Sequence, residues 1–499
     1  MLLRHCLVLM YFIMGAQALD NWPYLSPQVS VGIRSQRDIM TNVSIDQLPT
    51  IGVELNKVLS GKSGNETEFL QQIRTLLSVG VQTFVIDLEP NNATEWLVTN
   101  TSVKFTSFLS VLKDYASTSN NNLSANMLVL LLRFSKSKRN GGGLTEILSQ
   151  ANFTSDLYNN VGSGFIYSPD DLKNDRQSNV TWTINGKSNT GGWPTLDHFL
   201  YQVRKRLIVA TIDNLLNESA NTLIFNSSIL NYQTDNTTAD CPITSNDRLT
   251  TISLEPWRFL ESDYTPQNIK EFIKCGYSPI ISNRYDSGNI SEIMHLLDSA
   301  LLWSWNSNQP LHETMRSSSS TSLSAYNCAV LHYTSSNSSS NWEVANCYDK
   351  KPVLCRYMDR AFVWTRTDDE QDYFSIGTDG TCPDGYQFTL PRIPFQLQSV
   401  ENYLKSIDSP DIDMWIDLNS ISVSDCWVSG GPYASCPYQK VVSKRSFAKM
   451  ISPVSVFSFA LLVMVIYLNW LKTPIQDNRK GWKKVVNSYS KSEFEGVPS

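Results

Sequence analysis

The stretch of this chain best suited to chemistry is Asp87-Leu88-Glu89. It closes the apolar run Thr83–Leu88, TFVIDL, which reads as a buried strand. Residues two apart on a strand face the same way, so both carboxylates point to one side of the sheet. Paired carboxylates at a strand end bind Ca²⁺ or Mg²⁺, or act as acid and base. The competing reading is structural: a solvated strand end, or an interior ion pair with Arg34 or Arg133. A divalent cation at Asp87 and Glu89 is the one cofactor this pattern admits.

The elements that must position this pair alternate short apolar runs with amphipathic segments, the pattern of parallel strands joined by helices. Val29–Ile33 reads as a first strand, Glu68–Val79 as a helix stopped by Gly80, and Phe105–Tyr115 as a second helix. Met127–Phe134 is a further strand, and a helix over His198–Arg206 leads into the strand Leu207–Ile212. Ile269–Lys274 is helical, Cys275-Gly276 ends it, Pro279–Ser282 is a late strand, and Met294–Trp305 closes the series. About eight such units predict a (β/α)8 TIM-like barrel over residues 19–315, with chemistry at the carboxyl ends of the strands. An open doubly wound sheet is the alternative.

SVGIRSQRDIMTNVSIDQLPTIG, followed by LLSVGVQTFVIDLEP, resembles the opening of phospholipase C-like phosphodiesterase barrels. That resemblance implies a histidine after the first strand and a second one soon after. Here the expected first strand runs into Arg34-Ser35-Gln36-Arg37, and the third into Arg133-Phe134-Ser135-Lys136. The histidines beyond the leader are His198, His295, His312 and His332, none near those strand ends. Without imidazoles to take and return a proton, that mechanism lacks its acid/base pair. The expectation is a binding or scaffold barrel, with a phosphodiesterase-like or glycan-active enzyme as the alternative. Trp303 and Trp305 either stack on sugar or fill the core.

Ser317–Ser322 reads as part of a flexible linker, residues 316–325, before a disulfide-rich region over 326–440. Eight cysteines follow the leader. Cys241 and Cys275 fall in the barrel and are expected to pair there. Cys328, Cys347, Cys355, Cys382, Cys426 and Cys436 fall beyond the linker, where 15 connectivities are open. NWEVANCYDKKPVLC resembles the closing stretch of C-type lectin-like domains. Cys382-Pro-Asp-Gly-Tyr with MWIDLNS resembles their opening half. The halves stand in reversed order, as in a permuted fold, and the calcium-dependent sugar-binding signatures are missing. A small β-rich disulfide domain is the alternative.

The ends of the chain read as membrane signals. Residues 450–471 are uncharged and long enough to cross a bilayer, with Pro453 expected in the first helical turn. Residues 1–18 read as a signal peptide cut after Ala18, a short N-terminal anchor being the alternative. Sequons at Asn42, Asn65, Asn92, Asn100, Asn122, Asn152, Asn179, Asn217, Asn226, Asn236, Asn289 and Asn337 all precede the span. Together these predict a single-pass type I glycoprotein of the secretory pathway with a cytosolic tail over 472–499. Its expected partners are the membrane and a luminal protein or glycan. The formal net charge of -6, with no basic stripe before the span, argues against direct contact with nucleic acid.

Read end to end, the chain is similar to one fungal family, maintenance of telomere capping protein 6. The resemblance rests on Trp22–Pro49, Trp193–Leu196, Trp257–Leu260, Gly276–Asn283, Met414–Tyr438 and the tail SKSEFEGVPS. It implies a type I membrane glycoprotein linked to telomere capping. It brings no catalytic residues.

Overall fold

The computed structural model describes residues 26–59, 66–91, 95–134, 153–184, 191–213, 223–234, 236–285, 290–311, 325–377, 380–438, 444–472 and 479–492. The expected leader, linker residues 316–324, the sequon residues Asn65, Asn92, Asn152, Asn217 and Asn289, and His312 lie outside the described residues.

Among the described residues, eight parallel strands build the central sheet: β1 (Gly52–Glu54), β2 (Thr83–Pro90), β3 (Leu128–Phe134), β4 (Ile166–Tyr167), β5 (Leu207–Thr211), β6 (Leu230–Gln233), β7 (Trp257–Ser262) and β8 (Ser278–Ile281). Their order is β4-β5-β3-β2-β1-β8-β7-β6. Every neighbouring pair in that path is parallel. A short strand, Trp96–Val98, adds antiparallel to the end of β2. Runs such as LVLLLRF are apolar on both faces because helices cover the outside and side chains fill the inside. Among the described residues no ladder joins β4 to β6, so this is a partial barrel. Aromatic rings fill the seam, with Tyr167 and Phe225 at 6.4 Å and Trp193 and Trp257 at 6.3 Å between centroids.

The parallel barrel is the expected one, but its entry differs. Val29–Ile33 is not a strand. It lies in helix α1 (Pro27–Ile39), where Ser26 caps the Val29 amide and Pro27 fills the first turn. The alternation V-S-V-G-I imitates a strand, while Gly32, Ser35, Gln36 and Ile39, buried together with Arg37, have helical spacing. The first strand is β1, at three residues too short to stand out by periodicity. The expected helix over His198–Arg206 is a single π-turn, His198–Gln202. Helices Glu66–Ser78 (α2), Phe105–Thr118 (α3) and Asn268–Lys274 (α4) stand where expected. Helix Ile290–Leu301 (α5) ends before Trp303 and Trp305, which are buried core residues against Trp342 and Trp427.

Among the described residues between 325 and 438 are two three-stranded sheets and the helix Pro394–Ser406 (α6). Disulfides join Cys328 to Cys347, Cys355 to Cys382 and Cys426 to Cys436; Cys241 pairs with Cys275 in the barrel. This region and the barrel form one compact unit with a shared hydrophobic core. Buried Glu401 of α6 accepts from Lys274 Nζ at 2.6 Å and from the Ser340 amide at 2.7 Å, tying α4 to the later sheet. Gly276, at φ +76°, lies so close to Phe395 that a Cβ there would stand 1.9 Å from the ring.

Residues 439–499 form a separate unit. Helix Lys444–Lys472 (α7) contains Ile451–Leu471, which is apolar and long enough to cross a membrane. Pro453 lies inside this helix rather than in its first turn, because the helix starts earlier than the apolar run does. Its missing N–H leaves the Lys449 carbonyl without that helical partner. Helix Arg479–Ser492 (α8) follows.

Candidate functional site

The carboxyl ends of the parallel strands bring charged groups together around Arg133 of β3. Its Nη2 donates to Glu261 of β7 at 2.6 Å, and its Nη1 to Asp87 of β2 at 3.2 Å. Nη1 is also 4.0 Å from Glu54 of β1. Lys57 Nζ reaches the other Glu261 oxygen at 2.5 Å, and the Tyr232 hydroxyl of β6 donates to Glu261 Oε2 at 2.5 Å. One arginine thus serves carboxylates from three strands, each placed by its position at a strand end.

Local structure fixes several members of the cluster. One Glu54 oxygen caps the short turn that follows β1 by accepting from the Lys57 amide. Asn56 accepts from the Asp87 amide at 2.8 Å and donates to the Thr99 carbonyl at 2.7 Å, so it fixes the backbone at the end of β2. Asp213, after β5, accepts from the Phe134 amide at 3.0 Å.

The carboxylates differ in their electrostatics. Burial, and next the nearby Asp87 charge, push Glu54 up to about 7. Its Oε1 is buried without a hydrogen bond. Burial raises Asp87 too, and Arg133 opposes that. Burial would also raise Glu261, but hydrogen bonds from Lys57 and Tyr232 and the charge of Arg133 outweigh it and hold Glu261 low. Arg133, despite burial, is held fully charged by its neighbours. The cluster therefore sets Arg133 and Lys57 against Asp87 and Glu261, beside a Glu54 carboxyl able to hold a proton near neutrality.

The sequence pair separates here. Asp87 joins the Arg133 cluster, while no ion pair or hydrogen bond engages the half-buried Glu89 carboxylate among the described residues. Among those residues no group of three or more His, Cys, Asp or Glu side chains is placed to hold a metal ion. Arg34 donates instead to the Asp425 carbonyl at 3.0 Å. The described histidines lie elsewhere: His198 pairs with Asp175, His332 with Asp413, and His295 is exposed on α5. Sequence reasoning missed Glu54, Lys57, Tyr232 and Glu261. Glu261 closes the apolar run WRFLES as Asp87 closes TFVIDL, which is the signal that points to it.

Residues 23–303 match the family model described as the MTC6 partial TIM-barrel domain. A maintenance of telomere capping protein 6 from Lachancea thermotolerans is 45% identical over 96% of this chain and 96% of its own length. One from Saccharomyces cerevisiae strain JAY291 is 44% identical over 96% of this chain and 93% of its own. Among solved structures, a mutant phosphatidylinositol-specific phospholipase C from Staphylococcus aureus is 13% identical. That match covers 54% of this chain and 99% of that one, with a TM-score of 0.28.

Proposed function

Because this chain belongs to the maintenance of telomere capping protein 6 family, we propose that it is a single-pass type I membrane glycoprotein whose barrel works by binding rather than catalysis. The observation that carries the binding reading is Arg133. It occupies the place where strand-end carboxylates would meet a substrate, and it joins Asp87 and Glu261 in a pre-formed network. The ectodomain then acts as a scaffold for a luminal protein or glycan.

The topology is supported from both flanks of the apolar span. Asn42, Asn100, Asn122, Asn179, Asn236 and Asn337 are exposed and Asn226 is half-buried, so oligosaccharyl transfer meets no steric bar at the exposed six. After the span, α8 sets exposed Trp482, Val485, Val486 and Tyr489 along one face and exposed Lys483 and Lys484 along another. A basic amphipathic helix of this kind suits the anionic cytosolic leaflet. With the folded unit luminal, a link to telomere capping, which the relatives' names carry, is indirect.

A second reading, a luminal enzyme, has one observation in its favour: the buried Glu54 carboxyl titrates near neutrality, where a general acid or base is effective. One experiment tests the shared topology and a second separates the readings. In sealed microsomes, protease should remove only a short C-terminal piece, and endoglycosidase should lower the remaining mass; a protected C-terminal tag overturns the topology. The purified protein should turn over neither phosphodiester nor glycoside substrates, with or without Ca²⁺. Turnover abolished by Glu54→Gln would establish the enzyme.

A further inference from the structure

A second place in the fold concentrates charge without neutralising it. Where the barrel meets the later sheets there is a cavity of about 280 Å³, lined by Arg356, Arg392, Asn42, Ser44, Thr183 and Gln396 among others. Arg356 comes from the strand Leu354–Tyr357, and Arg392 from just before α6. Arg392 is partly provided for: it donates to the Ile39 carbonyl at 3.0 Å, and Asp417 lies near enough to favour its charge. Much of the Asp417 carboxylate is already committed to the amides of Gly430 and Gly431 at 2.7–2.9 Å.

Arg356 has no such provision. Among the described residues no carboxylate or carbonyl engages its guanidinium; its Nε, also without an acceptor, is closed to solvent and lies off the cavity. Burial, and then the like charge of Arg392, hold it below the usual arginine range. A half-buried cation facing a second cation is unfavourable unless a counter-charge joins them. Guanidinium forks match the oxygens of a tetrahedral oxyanion in geometry as well as sign. The cavity is larger than one oxyanion, so it has room for more of a ligand than its phosphate.

We propose that this cavity binds a phosphate group, either free or as the phosphomonoester of a small polyhydroxyl molecule such as a sugar. Nothing in the Arg133 cluster enters this assignment, and it stands whether or not the barrel mouth binds or catalyses. The anion joins the two arginines, and the rest of the ligand occupies the remaining cavity.

The test is thermal unfolding and calorimetric titration of the full chain in neutral detergent, at ionic strength matched with chloride. The probes are inorganic phosphate, glucose 6-phosphate and glucose. Wild type should be stabilised by glucose 6-phosphate and unmoved by glucose. Stabilisation by inorganic phosphate as well assigns the affinity to the anion alone; its absence assigns part of it to the sugar body. Arg356→Gln should weaken binding about tenfold or more, and Arg356→Lys should retain part of it. Without ligand, Arg356→Gln should unfold no earlier than wild type, since it removes an uncompensated charge. Three results overturn the proposal: no response of wild type to either phosphate, an equal response in Arg356→Gln, or marked destabilisation by Arg356→Gln alone.

Discussion

Arg133 Nη1 lies 3.2 Å from the Asp87 carboxylate, so the strongest cation ligand that the chain offers on sequence already has a protein counter-charge. Asp87→Asn removes that counter-charge and leaves Glu261 to hold Arg133. The expected loss is about 1–2 kcal/mol, since both side chains of the pair are 26% exposed. Glu89→Gln, which breaks no pair, should stay within about 0.5 kcal/mol of wild type. Denaturant midpoints measure both. Tight Ca²⁺ binding by wild type that both variants lose would establish Asp87 and Glu89 as a metal site.

Arg133→Met is the more severe change at the same place. It leaves Glu261, with a side chain 2% exposed, facing only Lys57 and Tyr232, and it leaves Asp87 without a cation. Breaking a buried pair by removing one partner costs about 3–5 kcal/mol when burial is complete. The partial exposure of Arg133 places the expectation at the lower end, about 2–3 kcal/mol. A midpoint unchanged from wild type would mean that water, not Arg133, compensates Glu261.

Glu54 predicts how stability follows pH. Its folded pKa is raised to about 7 from 4.5, so the folded state holds the proton more tightly than the unfolded chain. That contribution is fully present below the unfolded value and is lost as pH rises through about 7. Glu261, held low, works in the opposite sense: its contribution is present above the unfolded value and lost as pH falls through the folded one. Stability should therefore decline from mildly acidic to neutral pH. Glu54→Gln should remove that slope and gain about 1–2 kcal/mol above neutrality. Urea midpoints across pH for the two proteins decide it, and parallel curves would show that Glu54 ionises freely.

The reach of the sequence follows from element length and separation along the chain. Thr83–Pro90 and Leu128–Phe134 were legible because a strand buried on both faces must be a continuous apolar run. β1 was not, because three residues carry no period, and its neighbour Val29–Ile33 alternates as a strand does while Ser26 and Pro27 start a helix. Arg133 was visible as a partner for Asp87, since the two strands are sequential βα units. Glu261 and Tyr232 were not, because β2 and β7 come near each other only through the order of the whole sheet. The same holds for Arg356 and Arg392: sequence gives their charge, and only packing shows that Arg356 lacks an acceptor.

Glu401 tests how the disulfide-rich region is joined to the barrel. It accepts from Lys274 at 2.6 Å and from Ser340 through both amide and hydroxyl, at 2.7 and 2.9 Å. Glu401→Ala leaves a nearly buried ammonium and two donors without their acceptor. The expected cost is about 3 kcal/mol. Unfolding should remain one transition, followed by far-ultraviolet and tryptophan signals together, because the core is continuous across the join. Two separated transitions in the variant would show that the regions fold independently.

The join is also tested by a glycine. Gly276 needs a left-handed backbone at φ +76°, and it touches Phe395, so a Cβ added there would fall 1.9 Å from the ring. Gly162 shares the left-handed conformation, at φ +92°, but has nothing within 4 Å of that position. Gly162→Ala therefore measures the backbone cost alone, about 1–2 kcal/mol. Gly276→Ala should add the displacement of a buried ring to that cost and lose about 3 kcal/mol or more. Phe395→Leu gives a second variant in which the ring is absent. If the collision is the cause, Gly276→Ala should cost less in the Phe395→Leu background than in wild type, by at least about 1 kcal/mol. Equal costs in both backgrounds would place the whole effect in the backbone and remove Phe395 from the account of why glycine stands at 276.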